Sequence, residues 1–182
     1  MSLEYIKRSE LWAHSRFRWD DLERHIVQID FVAHTNPGDQ GSEGYSPTNH
    51  WTLHFVHTDS TNFDMVPTFG SDGAGVVIID SHDGPDVKEA HICIISCPIN
   101  PLKGAVTLSD VLGLVVELKR DHFKFSEVGE GCRFWCKTFA RDLANAELIT
   151  KEKEEEVAVA VGLYWKSAGG TEPREIAEGT FC

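Results

Sequence analysis

Asn49-His50-Trp51-Thr52-Leu53-His54-Phe55-Val56-His57 alternates apolar and polar side chains with period two. Successive side chains of a strand leave opposite faces, so Trp51, Leu53 and Phe55 share one face while His50, Thr52, His54 and Val56 share the other. The run is a strand with one greasy face. Upstream, residues 26–34 carry β-branched and aromatic residues in looser alternation and form a second strand. Between the two, residues 35–48 collect Asn, Pro, Gly and Ser, a long loop of the kind that borders sites. Downstream, a turn at Thr58-Asp59-Ser60 leads into residues 61–66, an antiparallel neighbour that Pro67 ends. A loop at 70–75, a strand at Val76-Val77-Ile78-Ile79, a turn at 81–85 and a strand at 91–96 complete an antiparallel meander.

The second half changes period. Thr107-Leu108-Ser109-Asp110 has the spacing of a capping box, and Val111, Leu112, Leu114, Val115 and Leu118 follow at helical intervals. A second helix opens at Cys132, with Trp135, Phe139, Leu143 and then Leu148 as its inward stripe. A third opens at Lys151 with a glutamate-rich start that suits the positive end of a helix dipole. Residues 1–23, with Trp12, Phe17 and Trp19, read as a short helical or irregular lead-in, and residues 167–182 as an irregular tail. Strands over 24–97 and helices over 107–165 define an α+β single domain, 1–182, an antiparallel sheet packed by helices.

Composition narrows the function. The 182 residues are 41% hydrophobic and 25% charged, as in ordinary globular proteins that bury a core. A net charge of −12 repels phosphate backbones and anionic lipid, so nucleic-acid and membrane partners are not expected. The first residues lack a signal-peptide pattern, and five cysteines, an odd number, do not read as a disulfide framework. A cytoplasmic location with free thiols is the expectation.

Two residues carry chemistry. Cys132 follows Gly129-Glu130-Gly131 and opens a helix, where a thiolate gains from unpaired backbone N–H groups and the dipole. His50 opens a strand directly after a polar loop, at a sheet end where a base for that thiol has its place. Asp64, on the neighbouring strand, or Asn49 would orient its ring, and His54, on the same strand face, is a substitute base or a substrate contact. Arg133, Trp51 and Trp135 are the remaining candidate substrate-binding residues. Against this stands the plainer reading of Cys132 and Cys136 as apolar thiols one turn apart on a buried helix face.

The chain order of His50, then strands, then Gly131-Cys132 followed by Phe134 and Trp135 resembles the circularly permuted papain-like thiol enzymes, including the lecithin:retinol acyltransferase and PPPDE-like groups. That resemblance covers roughly residues 49–143 and implies Cys132 as nucleophile and His50 as base, with Gly131 where those families place an asparagine. Asn49-His50-Trp51, the Phe63-Asp64-Met65-Val66-Pro67 run and Gly131-Cys132-Arg133-Phe134-Trp135 also resemble a fungal domain family of unknown function. This second resemblance implies a fungal source and a place in specialised metabolism.

Metal and cofactor patterns are weak. Cys93 and Cys97 on one strand stand about 13 Å apart by the rise per residue, too far for one zinc. Glycines at 70–75 lack the lysine and helix of a phosphate loop. No cofactor and no metal are expected. The expected function is cysteine-dependent acyl chemistry, hydrolysis or transfer, on a small-molecule or peptide-like substrate. The alternatives are a non-covalent binding or cyclising protein without a nucleophile, or an interaction module; the oligomeric state is left open.

Overall fold

A computed structural model describes residues 3–35, 47–68, 73–84 and 91–182. The expected loop at 35–48 falls outside them over 36–46, as do 70–72 of the 70–75 loop and 85 of the 81–85 turn. In chain order the first half holds α1 (Leu3–Arg8), β1 (Trp12–Arg16), a 3₁₀ turn (Trp19–Glu23), β2 (Gln28–His34), β3 (His50–Val56), β4 (Ser60–Pro67), β5 (Gly75–His82) and β6 (His91–Pro98). The second half holds α2 (Leu108–Glu117), β7 (Phe123–Lys124), α3 (Cys132–Asn145), α4 (Lys151–Val161), β8 (Leu163–Trp165), β9 (Thr171–Pro173) and β10 (Thr180–Phe181). The architecture is α+β, with one six-stranded sheet and helices packed on it.

The sheet order is β1-β5-β4-β3-β2-β6. β2 to β5 form the expected meander, with Leu53 opposite Phe63 and Phe63 opposite Ile79. Two features depart from it. The lead-in contains a strand, β1, which runs parallel to β5 with Trp12 opposite Val77. Since β1 fills the free side of β5, β6 joins the opposite side of the sheet, against β2, with Ile95 opposite Phe31. The tail also departs from the expected irregular course, because β9 pairs with β8 and β10 with β7.

β1 is held there by polar groups as well as by its ladder. Arg16 is paired with the buried Asp80 of β5. The Trp12 indole N–H donates to Asp121 Oδ2 at 2.9 Å, and the Tyr5 hydroxyl donates to the same oxygen at 2.7 Å. Asp121 is fully buried, and these two donors supply hydrogen bonds that water gives it in the unfolded chain.

One sheet face carries Phe31, Trp51, Leu53, Phe55, Phe63, Met65, Val77 and Ile79, all buried. α3 packs on its β3 and β4 strands through Trp135, which stacks on Phe63 at 5.0 Å, and Phe139. α2 buries Leu108, Val111, Leu112 and Val115, and Thr107 forms the capping box with Asp110 that its sequence spacing predicts. α3 ends at Asn145, so Leu148 lies beyond it; Leu148 N–H donates to Leu143 O and the side chain packs on the core from the turn before α4. Among the described residues no helix is long and apolar enough to cross a membrane.

Candidate active site

β3 and α3 meet at the end of the sheet where β3 begins. Gly131 precedes α3, and a Cβ there would lie 2.9 Å from ring atoms of both Phe123 and Phe125. The two rings close on the Gly131 backbone, and any larger residue would push them away. Gly129 makes the preceding turn with φ +76°, a left-handed conformation that favours glycine. Both glycines therefore serve to bring Cys132 to the sheet.

The Cys132 thiol is half-buried and donates to the Asn49 carbonyl at 3.9 Å, which joins the first turn of α3 to the residue before β3. Next to Asn49, the His50 ring shares Nε2 with Asp64 Oδ1 at 2.8 Å. Nε2 is thus committed to the carboxylate, and the nitrogen left for the sulfur is Nδ1. Burial pulls the His50 proton affinity down. Hydrogen bonding to Asp64 and to Cys132 outweighs it, and the His50 pKa is pushed up to about 11. The Asp64 carboxylate and the sulfur together hold the proton on the ring.

Asp64 comes from β4, one residue beyond the Phe63–Leu53 pair, and lies on the same sheet face as His50. Asn49 has another task. Its Oδ1 accepts from Trp165 N–H at 2.7 Å while its Nδ2 donates to Trp165 O at 3.0 Å, so the amide acts as a strand partner that locks β3 to β8. Asn49 is 1% exposed, so its side chain fixes the site from behind without reaching solvent.

Of the four candidate substrate contacts, Trp51, Trp135 and His54 are buried away from the opening beside Cys132, and Arg133 lines it. Trp51 and Trp135 are buried on the core side, and the space between them, Phe63, Met65 and Cys136 is filled. They form the floor under the thiol. Trp135 Nε1 donates to Arg120 O at 2.7 Å, which fixes that floor. Arg133 is buried too, and its guanidinium donates to Val161 O and Arg174 O, both at 3.1 Å, tying α3 to the end of α4 and to the tail. An arginine beside a reactive cysteine reads as an anion contact in sequence, but here backbone carbonyls take its donors. His54 is buried farther along β3, and burial, reinforced by His34, His82 and His91, lowers its pKa to about 4. It lies two pleats along β3 from His50, and of the two only His50 borders the cavity beside Cys132.

The other thiols have the character of apolar core groups. Burial, with Glu156 nearby, raises Cys93 to about 11, and burial raises Cys97 to about 12. Cys136 is pushed well above its ordinary range by burial first, then by Cys132 and Asp64. Cys136 is buried in the core, whereas Cys132 packs at the core's edge and borders a cavity of about 170 Å³. Its walls include Pro67, Phe125, Val128 and Ala177 on one hand and Thr48, Asn49, His50 and Arg133 on the other. Glu130 also lines it, and sequence reading passes over its partner: Glu130 Oε1 accepts from Arg174 at 2.6 Å, a pair that binds the tail to the turn before α3. No local signal marks that pair, since its members lie 44 positions apart.

A family model described as "Domain of unknown function (DUF7770)" matches residues 29–182, which takes in β3, Asp64, α3 and the tail. No curated protein and no solved structure matches the chain.

Proposed function

As the chain belongs to the DUF7770 family, whose description assigns no chemistry, we propose from its own site that it performs cysteine-dependent acyl chemistry. Cys132 is the nucleophile, His50 the proton carrier and Asp64 the group that orients and charges the ring. The observation that carries this reading is the Asp64–His50 hydrogen bond of 2.8 Å at the same cavity as Cys132. A core thiol would need no such arrangement. The carboxylate favours an imidazolium, and an imidazolium beside sulfur favours the thiolate, the form that attacks a carbonyl.

In the first step the Cys132 Sγ–carbon bond forms and the carbonyl π electrons move to oxygen. The Cys132 backbone N–H lies in the uncapped first turn of α3, and it donates to that oxyanion. Collapse breaks the bond to the leaving group, which takes the proton from His50 Nδ1. Neutral His50 then removes a proton from water or an acceptor, whose attack on the acyl carbon releases the product and restores the thiolate. Hydrolysis and acyl transfer share this path and differ only in the second nucleophile.

The order of elements, with a histidine opening a strand and a later cysteine opening a helix packed on that sheet, supports placing the chain near permuted papain-like thiol enzymes. A cytoplasmic setting belongs to the same proposal and is supported by five free cysteines. So do a fungal source and a small-molecule or peptide-like substrate, both resting on the resemblance. The non-covalent alternative relied on a pocket walled by Trp51 and Trp135, and their burial weighs against it.

Iodoacetamide labelling at neutral pH tests the proposal. Cys132 is expected to label faster in the folded protein than in the same protein unfolded in urea, and Asp64→Asn is expected to remove that advantage. A folded-state rate below the unfolded one, with circular dichroism confirming the fold, would sink the thiol reading.

A further inference from the structure

The cavity beside Cys132 restricts what the sulfur can accept. We propose, resting on the thiol reading above, that the acyl group delivered to Cys132 is short and uncharged, with its substituent seated in this cavity and the leaving group in solvent.

Volume sets the length. An apolar cavity of about 150 Å³ holds one benzene, or about six non-hydrogen atoms. The present cavity, about 170 Å³, accommodates a substituent of similar size. Pentanoyl and hexanoyl chains fit; a decanoyl chain does not. The walls set the chemistry. Pro67, Phe125, Val128 and Ala177 present carbon where the substituent would lie, while Thr48, Asn49, His50, Glu130 and Arg133 line the remainder; Phe125 is itself packed edge-on against Phe123 and cannot withdraw without opening the Gly131 contact.

The charges that approach this space are already engaged. Glu130 is paired with Arg174 and stands 3.5 Å from Arg133, Arg133 also donates to Val161 O and Arg174 O, and His50 is paired with Asp64. A substituent carrying a carboxylate or an ammonium would lose its water here without gaining a free counter-ion among the described lining residues. The enclosed space suits the acyl side because that part must stay held through both steps, whereas the leaving group departs after the first.

The test uses acyl thioesters of N-acetylcysteamine and follows the mass increase of the whole protein in a single turnover. Thiolate sulfur of Cys132 attacks the carbonyl, the new C–S bond forms, the old one breaks, and His50 protonates the departing thiol. Acetyl, butanoyl, pentanoyl, hexanoyl and decanoyl esters define length; succinyl and β-alanyl esters add a negative and a positive charge at matched size. Pentanoyl or hexanoyl is expected to react fastest, with decanoyl and both charged esters slower by at least about tenfold, the scale on which hydrophobic pockets discriminate. Val128→Trp, at a half-exposed wall position, is expected to move the optimum toward acetyl.

Decanoyl or charged esters reacting as fast as hexanoyl would overturn the inference, with Cys132 acylation still supporting the thiol reading. So would rates that follow the bulk of the leaving thiol and ignore the acyl chain. Failure of every ester to modify Cys132, while iodoacetamide modifies it in unfolded protein, would remove both.

Discussion

Two histidines on one strand face titrate in opposite directions, because one has a carboxylate partner and the other has burial and neighbouring histidines. His50 is raised to about 11, so its protonated form stabilises the fold fully below the ordinary value of 6.5, and that contribution drains away as pH rises toward 11. His54 is lowered to about 4, so the unfolded chain takes up its proton first, and stability falls as pH drops from 6.5 to about 4. Urea midpoints measured across pH should therefore decline on both sides. His54→Gln should flatten the acid limb and leave the alkaline one; Asp64→Asn should flatten the alkaline limb. The same residue pairings decided what sequence reading recovered at the site. His50, Cys132 and Asp64 were legible because alternation fixes strand faces and glycines announce a helix start. Trp51 and Trp135 lie in the core and Arg133, at the cavity, is tied to backbone carbonyls; polarity and size do not tell which carbonyls or rings stand opposite, and those partners come from α4, the tail and the 120–125 segment.

At the scale of elements, the start of α3 is built by close approach more than by capping. Thr107 caps α2 and Thr150 caps α4 with their side chains, whereas Gly131 offers α3 none. Leaving those N–H groups unpaired keeps them available to a ligand, at some cost to the helix. Gly131→Ala should destabilise the protein by about 1–3 kcal/mol through overpacking against Phe123 and Phe125. It should also slow Cys132 labelling, since the helix start must shift. Thr107→Ala, which removes an ordinary cap, should cost about 1 kcal/mol and leave labelling unchanged. Denaturation midpoints with labelling rates separate the two. Helix starts with side-chain caps were readable; β1 was not, because five residues dominated by Trp12, His14 and Arg16 carry little period-two signal and owe their place to Asp80, Asp121 and the open edge of β5.

Across the whole molecule, the site is a seam between the first and second halves of the chain. The sheet supplies His50 and Asp64, the helical half supplies Cys132, and Asn49 fastens the two through Trp165. Asn49→Ala should cost about 1–3 kcal/mol for the partly buried Trp165 backbone groups left without partners. It should also raise amide exchange in β8 and β9 before the central strands respond. The α+β class followed from strands first and helices later, but the route of β6 to the far edge did not, since edge choice depends on which strand arrives from the lead-in.

The contact of the Cys132 thiol with the Asn49 carbonyl spans 83 positions. During synthesis His50 and Asp64 leave the ribosome well ahead of Cys132. A nascent chain that has made only its sheet holds the histidine and its carboxylate alone, and the late-arriving cysteine meets them only when α3 docks. The proposed thiol site is thereby assembled last, by completion of the fold itself.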